Sequence, residues 1–162
     1  MAEPCILAIS SPGGHWAQLT TICANLPHPV VYARAGMSRP TVSTPEAAEG
    51  RGGRDRPYFI QDANKDKKWH LVLCLRDTTA LIRRTAPSLV ITTGAAPGFF
   101  ACLIARLTGR RCVFIDSIAN AERLSLSARL CRLFGLPVLT QWQSLADGRR
   151  VQYKGSVLGE LS

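Results

Sequence analysis

The chain has 162 residues, with 20 Lys and Arg against 11 Asp and Glu, six Cys and 46% hydrophobic residues. This length predicts one domain, residues 1–162, with a sizeable core, and the apolar content excludes a disordered chain. The formal net charge of +9 indicates an acidic partner, such as nucleic acid, an anionic membrane surface or a phosphorylated substrate. Because the sequence shows neither aromatic–basic interleaving nor a basic recognition helix, we expect no nucleic-acid partner.

The six cysteines indicate a reducing compartment. None belongs to a CxxC pair and each lies in an apolar run, whereas disulfide frameworks belong to shorter secreted chains and zinc ligands come in close pairs. We therefore expect small buried thiols in a cytosolic protein, rather than disulfides or zinc ligands.

Two long stretches, residues 4–33 and 86–105, contain no Lys, Arg, Asp or Glu. Both are interrupted by Gly and Pro near the middle, and each half is too short to cross a bilayer core of about 30 Å. We therefore predict a strand, a turn and a buried helix in each stretch. The N-terminus also lacks the basic segment of a signal peptide.

Hydrophobic periodicity and turn residues predict the following elements in chain order. They are a strand over Cys5–Ile9, a helix from His15 to Pro27, a strand over Val30–Ala33, a long mobile loop over 35–57, a strand over Tyr58–Ile60, a helix over 68–84, a strand over Leu89–Thr92, a helix from about Pro97 capped by Gly109, a strand over Cys112–Ile115, a helix over Ser125–Phe134, and strands over Pro137–Thr140 and Val151–Tyr153. The apolar faces of the second and third helices are predicted to carry Leu71, Leu75, Thr78 and Ile82, and Phe100, Leu103, Ile104 and Leu107, respectively.

This repeated alternation of strand and helix predicts a doubly wound, Rossmann-like α/β domain with a mainly parallel sheet. Ligands of such sheets bind at the carboxyl ends of the strands, often in a crevice shared with a second domain. Only six residues follow Ser156, so we expect the second wall of the crevice to come from another chain, or the site to be shallow.

Two glycine-rich loops follow predicted strands and precede predicted helices. In the first, Ser11 to Gly14 leads to His15, and in the second, Thr93 to Gly98 contains Pro97. Glycines at such turns let backbone N–H groups approach an anion, and two turns at one edge favour a diphosphate. His15 can bind phosphate or act as a base, although a solvated or capping histidine and plain close-packed turns are the alternatives.

A third loop carries polar groups directly after the predicted strand that ends at Ile115. It contains Asp116, Asn120 and Glu122, and a carboxylate beside an apolar wall can deprotonate a sugar hydroxyl. In the alternative, Asp116 caps the next helix and Glu122 pairs with Arg123 on the surface.

The helix that follows combines apolar and basic residues. Six Arg lie between Phe99 and Phe134, against two carboxylates, and cations near anionic lipid contribute about 1 kcal/mol each. We therefore expect a membrane-facing group formed by Arg123, Arg129 and Arg132. An ordinary core helix with a charged outer face is the alternative.

Four motifs together resemble the Alg14-type glycosyltransferase subunits, most closely the bacterial exopolysaccharide and capsule members of the PssD/CpsF kind. They are His15 closing a Gly-Gly turn, residues 92–98 (TTGAAPG), residues 115–125 (IDSIANAERLS) and residues 153–156 (YKGS). The resemblance covers nearly the whole chain apart from residues 35–57, and the third motif is the most specific.

The resemblance implies the N-terminal half of a GT-B glycosyltransferase, similar to the enzyme that adds GlcNAc to the lipid-linked precursor of murein. This half would bind a polyprenyl-diphosphate-linked acceptor and recruit an Alg13-like chain that binds the UDP-sugar donor, for an inverting reaction. The residues that would face the acceptor diphosphate are Gly13, Gly14, His15, Thr93, Gly94, Gly98 and Asn120. The candidates for the catalytic base are His15, Asp116 and Glu122.

The resemblance implies no metal and no cofactor, because GT-B enzymes stabilise the leaving nucleotide with helix dipoles and side chains. Eukaryotic members usually begin with a transmembrane anchor, whereas this chain opens with its first strand, so we expect peripheral attachment at the cytoplasmic face of the plasma membrane. The main alternative is a stand-alone nucleotide- or phosphate-binding α/β enzyme, against which the missing donor half counts.

Overall fold

The computed structural model describes residues 4–36, 57–61, 68–157 and 159. Most of the loop predicted over 35–57 lies outside the described residues. The strands are β1 Ile6–Ser10, β2 Val30–Gly36, β3 Tyr58–Gln61, β4 Leu89–Thr92, β5 Arg111–Ile115, β6 Val138–Thr140 and β7 Val151–Tyr153. The helices are α1 Gly14–Cys23, α2 Lys68–Thr85, α3 Ala95–Leu107 and α4 Leu126–Leu133, and a 3₁₀ turn not foreseen from the sequence spans Gln143–Leu145.

The strands form one sheet in the order β3-β2-β1-β4-β5-β6-β7, and every neighbouring pair is parallel. The predicted doubly wound, Rossmann-like fold is therefore confirmed. Successive connections move in one direction from β1 to β3 and in the other from β4 to β7, so the order reverses between β1 and β4. The carboxyl ends of these two strands flank the crevice in which sheets of this class bind their ligands.

The core has two layers, one on each face of the sheet. One layer packs Leu7, Val90 and Phe114 of the sheet against α2, α3 and α4, and the other packs Ile6, Ala8, Ile91 and Ile115 against Leu19 and Cys23 of α1. Both charge-free stretches are thus strands and short helices, as predicted. Within the described ranges, every helix is too short or too polar to cross a membrane.

The buried faces of α2 and α3 are rotated from the predicted ones. Leu75 is 40% exposed and Leu107 77% exposed, so these two side chains do not contribute to the core. The predicted Thr78 and Ile82 on α2 and Ile104 on α3 are buried, as expected. The other buried positions are Cys74 and Leu81 on α2 and, after its first turn, Ala101, Cys102 and Ala105 on α3. Small residues on α3 allow its backbone to lie close to its neighbours, which the spacing of large apolar residues does not reveal.

The cysteines are free thiols, as predicted, and all but the half-buried Cys5 are buried. Burial raises the pKa of Cys23 to about 11. Hydrogen bonding of the Cys102 S–H group to the neighbouring sulfurs of Cys112 and Cys131, together with burial, raises the pKa of Cys102 well above its ordinary value. Cys23 and Cys102 are therefore core residues rather than reactive groups.

Candidate active site

The two glycine turns lie side by side at the carboxyl edge of the sheet. The first connects β1 to α1 and the second connects β4 to α3, and β1 and β4 are hydrogen-bonded neighbours. Two strand-to-helix turns that are far apart in sequence therefore meet where the strand order reverses.

His15 and Thr93 fasten the two turns to each other by reciprocal hydrogen bonds. The Nδ1 atom of His15 lies 2.9 Å from the backbone carbonyl oxygen of Thr93, and the Thr93 hydroxyl donates to the carbonyl oxygen of His15 at 2.6 Å. Because a carbonyl oxygen only accepts, Nδ1 carries the hydrogen, and Nε2 of the neutral ring is left as the proton acceptor. The ring is partly buried, whereas Thr93 is fully buried.

Gly94 and Gly98 leave the space that this arrangement needs. A Cβ on Gly94 would lie 2.7 Å from both Cε1 and Nδ1 of His15, and the backbone of Gly94 has a φ of +144°. A Cβ on Gly98 would meet the Oγ1 atom of the buried Thr92. The glycines predicted at this turn therefore make room for side chains of the site itself, which is a more specific role than turn formation.

Both helices begin without a side-chain cap. The N-cap residues are Gly13 for α1 and Gly94 for α3, and neither offers a side-chain oxygen to the first N–H groups. Ala95, which follows, has a φ of +60°, a strained conformation for a residue with a Cβ. Uncapped first turns present N–H groups and the positive ends of the helix dipoles to an anion.

Asp116 organises the third loop from within. Its side chain is 2% exposed, and Oδ1 accepts hydrogen bonds from the backbone N–H of Ser117 and the side-chain amide of Asn120, both at 3.0 Å. Oδ2 accepts from the backbone N–H of Ser125 at 2.9 Å, and the Ser125 hydroxyl caps α4 by accepting from the N–H of Ala128. The carboxylate thus holds the loop and the start of α4 in place.

Two buried glutamines, neither of which was predicted as a site residue, connect the third loop to its neighbours. The side-chain amides of Gln18 in α1 and Gln141 after β6 both donate to the carbonyl oxygen of Asp116, at 3.3 and 3.0 Å. The Oε1 atom of Gln141 accepts from the backbone N–H of Val157 at 3.0 Å. A polar residue directly after β6 was the available signal for Gln141, because the carboxyl end of β6 lies at the same edge of the sheet as the three predicted loops.

The remaining candidate residues, Glu122 and the three arginines predicted to face the membrane, lie at the protein surface. Glu122 is exposed, and no described residue forms a hydrogen bond or ion pair with its carboxylate. Arg123 and Arg129 are also exposed, whereas the Nε atom of Arg132 lies 3.5 Å from a carboxylate oxygen of Asp147. The pairing of Glu122 with Arg123 that the sequence left open is not formed.

An open cleft of about 250 Å³ continues the edge from β5 to β7. Ile115 and Leu139 form part of its apolar lining, and Lys154, Gly155 and Ser156 of the last motif also line it. The described part of the chain contains no group of three or more His, Cys, Asp or Glu suited to a metal ion.

Comparisons with known proteins show the fold but not the family. No protein-family model matches the sequence, and no curated protein matches it significantly. Several solved structures are similar to this chain. MurG from Acinetobacter baumannii has 11% sequence identity and a TM-score of 0.63. UDP-N-acetylglucosamine 2-epimerase from Rickettsia bellii has 10% identity and a TM-score of 0.62, and a glycosyltransferase from Rickettsia africae has 11% identity and a TM-score of 0.56.

The matches cover nearly all of this chain but less than half of each neighbour. They span 92%, 97% and 96% of this chain, and 45%, 46% and 43% of the respective neighbours. The chain therefore has the fold of one half of a GT-B protein, a fold that glycosyltransferases use.

Proposed function

We propose that this chain is the acceptor-binding subunit of a two-chain glycosyltransferase. It binds a polyprenyl-diphosphate-linked sugar of exopolysaccharide or capsule synthesis, and a separate Alg13-like chain brings the UDP-sugar. The observation that carries the proposal is the reciprocal pair of hydrogen bonds between His15 and Thr93, which fixes one imidazole between two uncapped helix starts.

The two helix starts are suited to a diphosphate. The amides at Gly13, Gly14 and His15 and those at Ala95 and Ala96 come from neighbouring turns, so each turn offers donors and a helix dipole to one phosphate group. Thr93 and Gly98 support this arrangement from behind. Asn120, whose amide donates to Asp116, is the candidate that reaches the ligand from the third loop.

His15 is the base that we propose for the transfer. The hydrogen bond to Thr93 leaves Nε2 to take the proton of the acceptor hydroxyl. The resulting oxygen attacks the anomeric carbon of the donor sugar, the bond from that carbon to UDP breaks, and UDP leaves with the electron pair. Both oxygens of Asp116 already accept hydrogen bonds, so we assign it a positioning role.

Three exposed apolar side chains in the first turns of α2 and α4 support recruitment to a membrane. Leu126 is 54% exposed at the start of α4, and Trp69 and Val72 are 68% and 52% exposed in the first turns of α2. Both helices follow strands, so their first turns lie towards the carboxyl edge, where a lipid-linked acceptor would be bound. Arg123 and Arg129 provide cations for anionic lipid, whereas Arg132 already pairs with Asp147.

The donor half is proposed to come from a second chain. This chain spans about half of the length of its structural neighbours, with a match that covers 45% of the A. baumannii MurG structure. A complete small phosphate-binding enzyme is the competing proposal. Activity of the purified chain alone with donor and acceptor would favour that alternative.

A complementation assay tests the proposal. Membranes and cytosol from cells that lack this chain are supplied with purified variants and a panel of radiolabelled UDP-sugars, and label in butanol-extractable lipid is measured. Wild type and the exposed-histidine control His28→Ala should restore labelling, and His15→Ala should restore it 10²–10⁴-fold less, as expected for the loss of a general base. If cells without the chain label lipid normally, the proposal is wrong.

The same assay decides between the two candidates for the base that remain accessible. Glu122→Ala should transfer at a rate close to that of wild type. If Glu122→Ala is severely impaired and His15→Ala is not, the base is Glu122 and the assignment to His15 is wrong.

A further inference from the structure

Arg34 is held by two aromatic rings at the end of β2. The guanidinium carbon lies 5.8 Å from the ring centroid of Trp16 and 5.4 Å from that of Phe59. These residues come from α1, β2 and β3, and Arg34 is the register partner of Phe59. Contacts of this kind stabilise a cation through the ring quadrupole.

The rings leave the hydrogen-bonding capacity of this guanidinium unused. Arg34 is only partly exposed, yet within the described ranges no atom accepts a hydrogen bond from its side chain and no carboxylate lies within ion-pair distance. Aromatic rings contact a guanidinium without satisfying the N–H groups that radiate in its plane. A partly buried cation that is fixed in position but has no anionic partner among the described residues is suited to bind an external anion.

Arg34 lies at the same edge as the glycine turns. It is the register partner of Ser10, the last residue of β1, and the first glycine turn follows directly. Trp16, which contacts the guanidinium, donates its backbone N–H to the carbonyl oxygen of Gly13 at 3.0 Å. Trp16 therefore connects the guanidinium of Arg34 to the Gly13–Gly14 turn at the carboxyl edge of the sheet.

We propose that Arg34 is an anion-binding residue that binds phosphate oxygens next to the Gly13–Gly14 turn. Its planar fork suits bidentate contact with a phosphate. The identification of this phosphate as part of a lipid diphosphate rests on the proposed function, whereas the anion site itself does not. A free diphosphate and a nucleotide offer the same chemistry, so the test includes each source.

Calorimetric titration of the full chain tests this site, with inorganic pyrophosphate, farnesyl diphosphate and UDP as separate probes. We expect wild type to bind at least pyrophosphate and Arg34→Gln to bind it about 10- to 100-fold more weakly, as for the loss of charge-assisted hydrogen bonds. Arg34→Lys keeps the charge but loses the fork, so its affinity should lie between the two. A preference for farnesyl diphosphate over UDP would identify the lipid source, and the reverse would identify a nucleotide.

Arg84→Gln is the matched control, because Arg84 also lies over an aromatic ring, at 5.9 Å from the centroid of Tyr58, but at the opposite end of the sheet. It should leave every affinity unchanged. If Arg34→Gln unfolds, the comparison of Arg34→Lys with wild type replaces it. Failure of wild type to bind any probe, or equal pyrophosphate affinity in wild type and a folded Arg34 variant, overturns the proposal.

The result can be separated from the fate of the proposed function. Binding that depends on Arg34 in a chain that does not support sugar transfer would retain the anion site and reject the glycosyltransferase proposal. Normal sugar transfer together with unchanged pyrophosphate affinity in Arg34→Gln would keep the glycosyltransferase proposal and reject the anion site at Arg34.

Discussion

The hydroxyl of Thr92 lies so close to Gly98 that a Cβ atom on this glycine would clash with it. Thr92 is the last residue of β4 and is fully buried, and Gly98 lies in the first turns of α3. The missing side chain therefore determines how closely the helix that starts at the candidate site approaches the end of the strand. This contact links the fold directly to the geometry of the second glycine turn.

Gly98→Ala should lower stability, although alanine is normally favoured over glycine inside a helix. Thr92 is branched and fully buried, so it cannot rotate away freely, and overpacking of this kind costs about 1–3 kcal/mol. Urea denaturation should show the loss. Gly36→Ala is the control, because a Cβ there meets no atom of the described residues within 4 Å. The double variant Thr92→Ala and Gly98→Ala should recover part of the loss. Unchanged stability of Gly98→Ala would contradict the packing described.

Gly94→Ala should displace the imidazole of His15 rather than only destabilise the turn. The added methyl group would lie 2.7 Å from two ring atoms, so the hydrogen bond from Nδ1 to the Thr93 carbonyl should break. The ¹⁵N chemical shifts of the ring measure this: wild type should show a protonated Nδ1 and an unprotonated Nε2 at high pH, and the variant a mixture of tautomers. Wild type with the proton on Nε2 would refute the tautomer assignment.

Asp116→Asn should destabilise the chain. Both carboxylate oxygens of Asp116 accept hydrogen bonds from N–H groups, and the substitution replaces one of these oxygens by an NH₂ group, which only donates. A buried donor left facing another donor costs about 1–3 kcal/mol. Asn120→Ala removes one donor from this network and should cost less. Thermal melting compares the two variants, and a smaller loss for Asp116→Asn than for Asn120→Ala would show that the carboxylate does not organise the loop.

Asp147 makes stability depend on acid pH. Its Oδ1 atom accepts from the backbone N–H groups of Val151, Arg149 and Arg150, each at 2.9 Å, and these bonds, with that of Val151 contributing most, hold the pKa of the carboxyl below its ordinary value. The lowered pKa contributes stability above about pH 3.9, the unfolded value, and this contribution disappears as pH falls through the folded pKa.

Asp147→Asn should therefore melt below wild type at pH 7, with a difference that shrinks as the pH falls below about 4. Thermal melting over this range measures the difference, and Glu122→Gln serves as the control at an exposed carboxylate. A difference that stays constant from neutral to acid pH would contradict this role of Asp147.

The local features of the fold could be predicted from the sequence. Glycine, proline and apolar runs mark each strand end, so the strand-to-helix alternation and the two glycine turns were predicted close to their observed positions. Leu75 and Leu107 were assigned to buried faces although they are exposed, because residue spacing does not show which side of a helix meets small side chains.

The contacts that build the candidate site could not be predicted, because they join distant segments. His15 and Thr93 are 78 residues apart, and the contact of Arg34 with Phe59 depends on the register of β2 with β3. The same limit applies to Asp116: its position after a strand suggested chemistry, but only the fold reveals that its oxygens are occupied by Ser117, Asn120 and Ser125.

Binding of the acceptor diphosphate by the two glycine turns can be measured by titrating the ¹⁵N-labelled chain with farnesyl diphosphate and recording the backbone amide signals. We expect saturable shifts that are largest at Gly13, Gly14, His15, Ala95 and Ala96, and smaller shifts in His15→Ala. Saturable binding that leaves these five amides unshifted, or no binding at all, would contradict the claim that the two glycine turns hold the diphosphate of the acceptor.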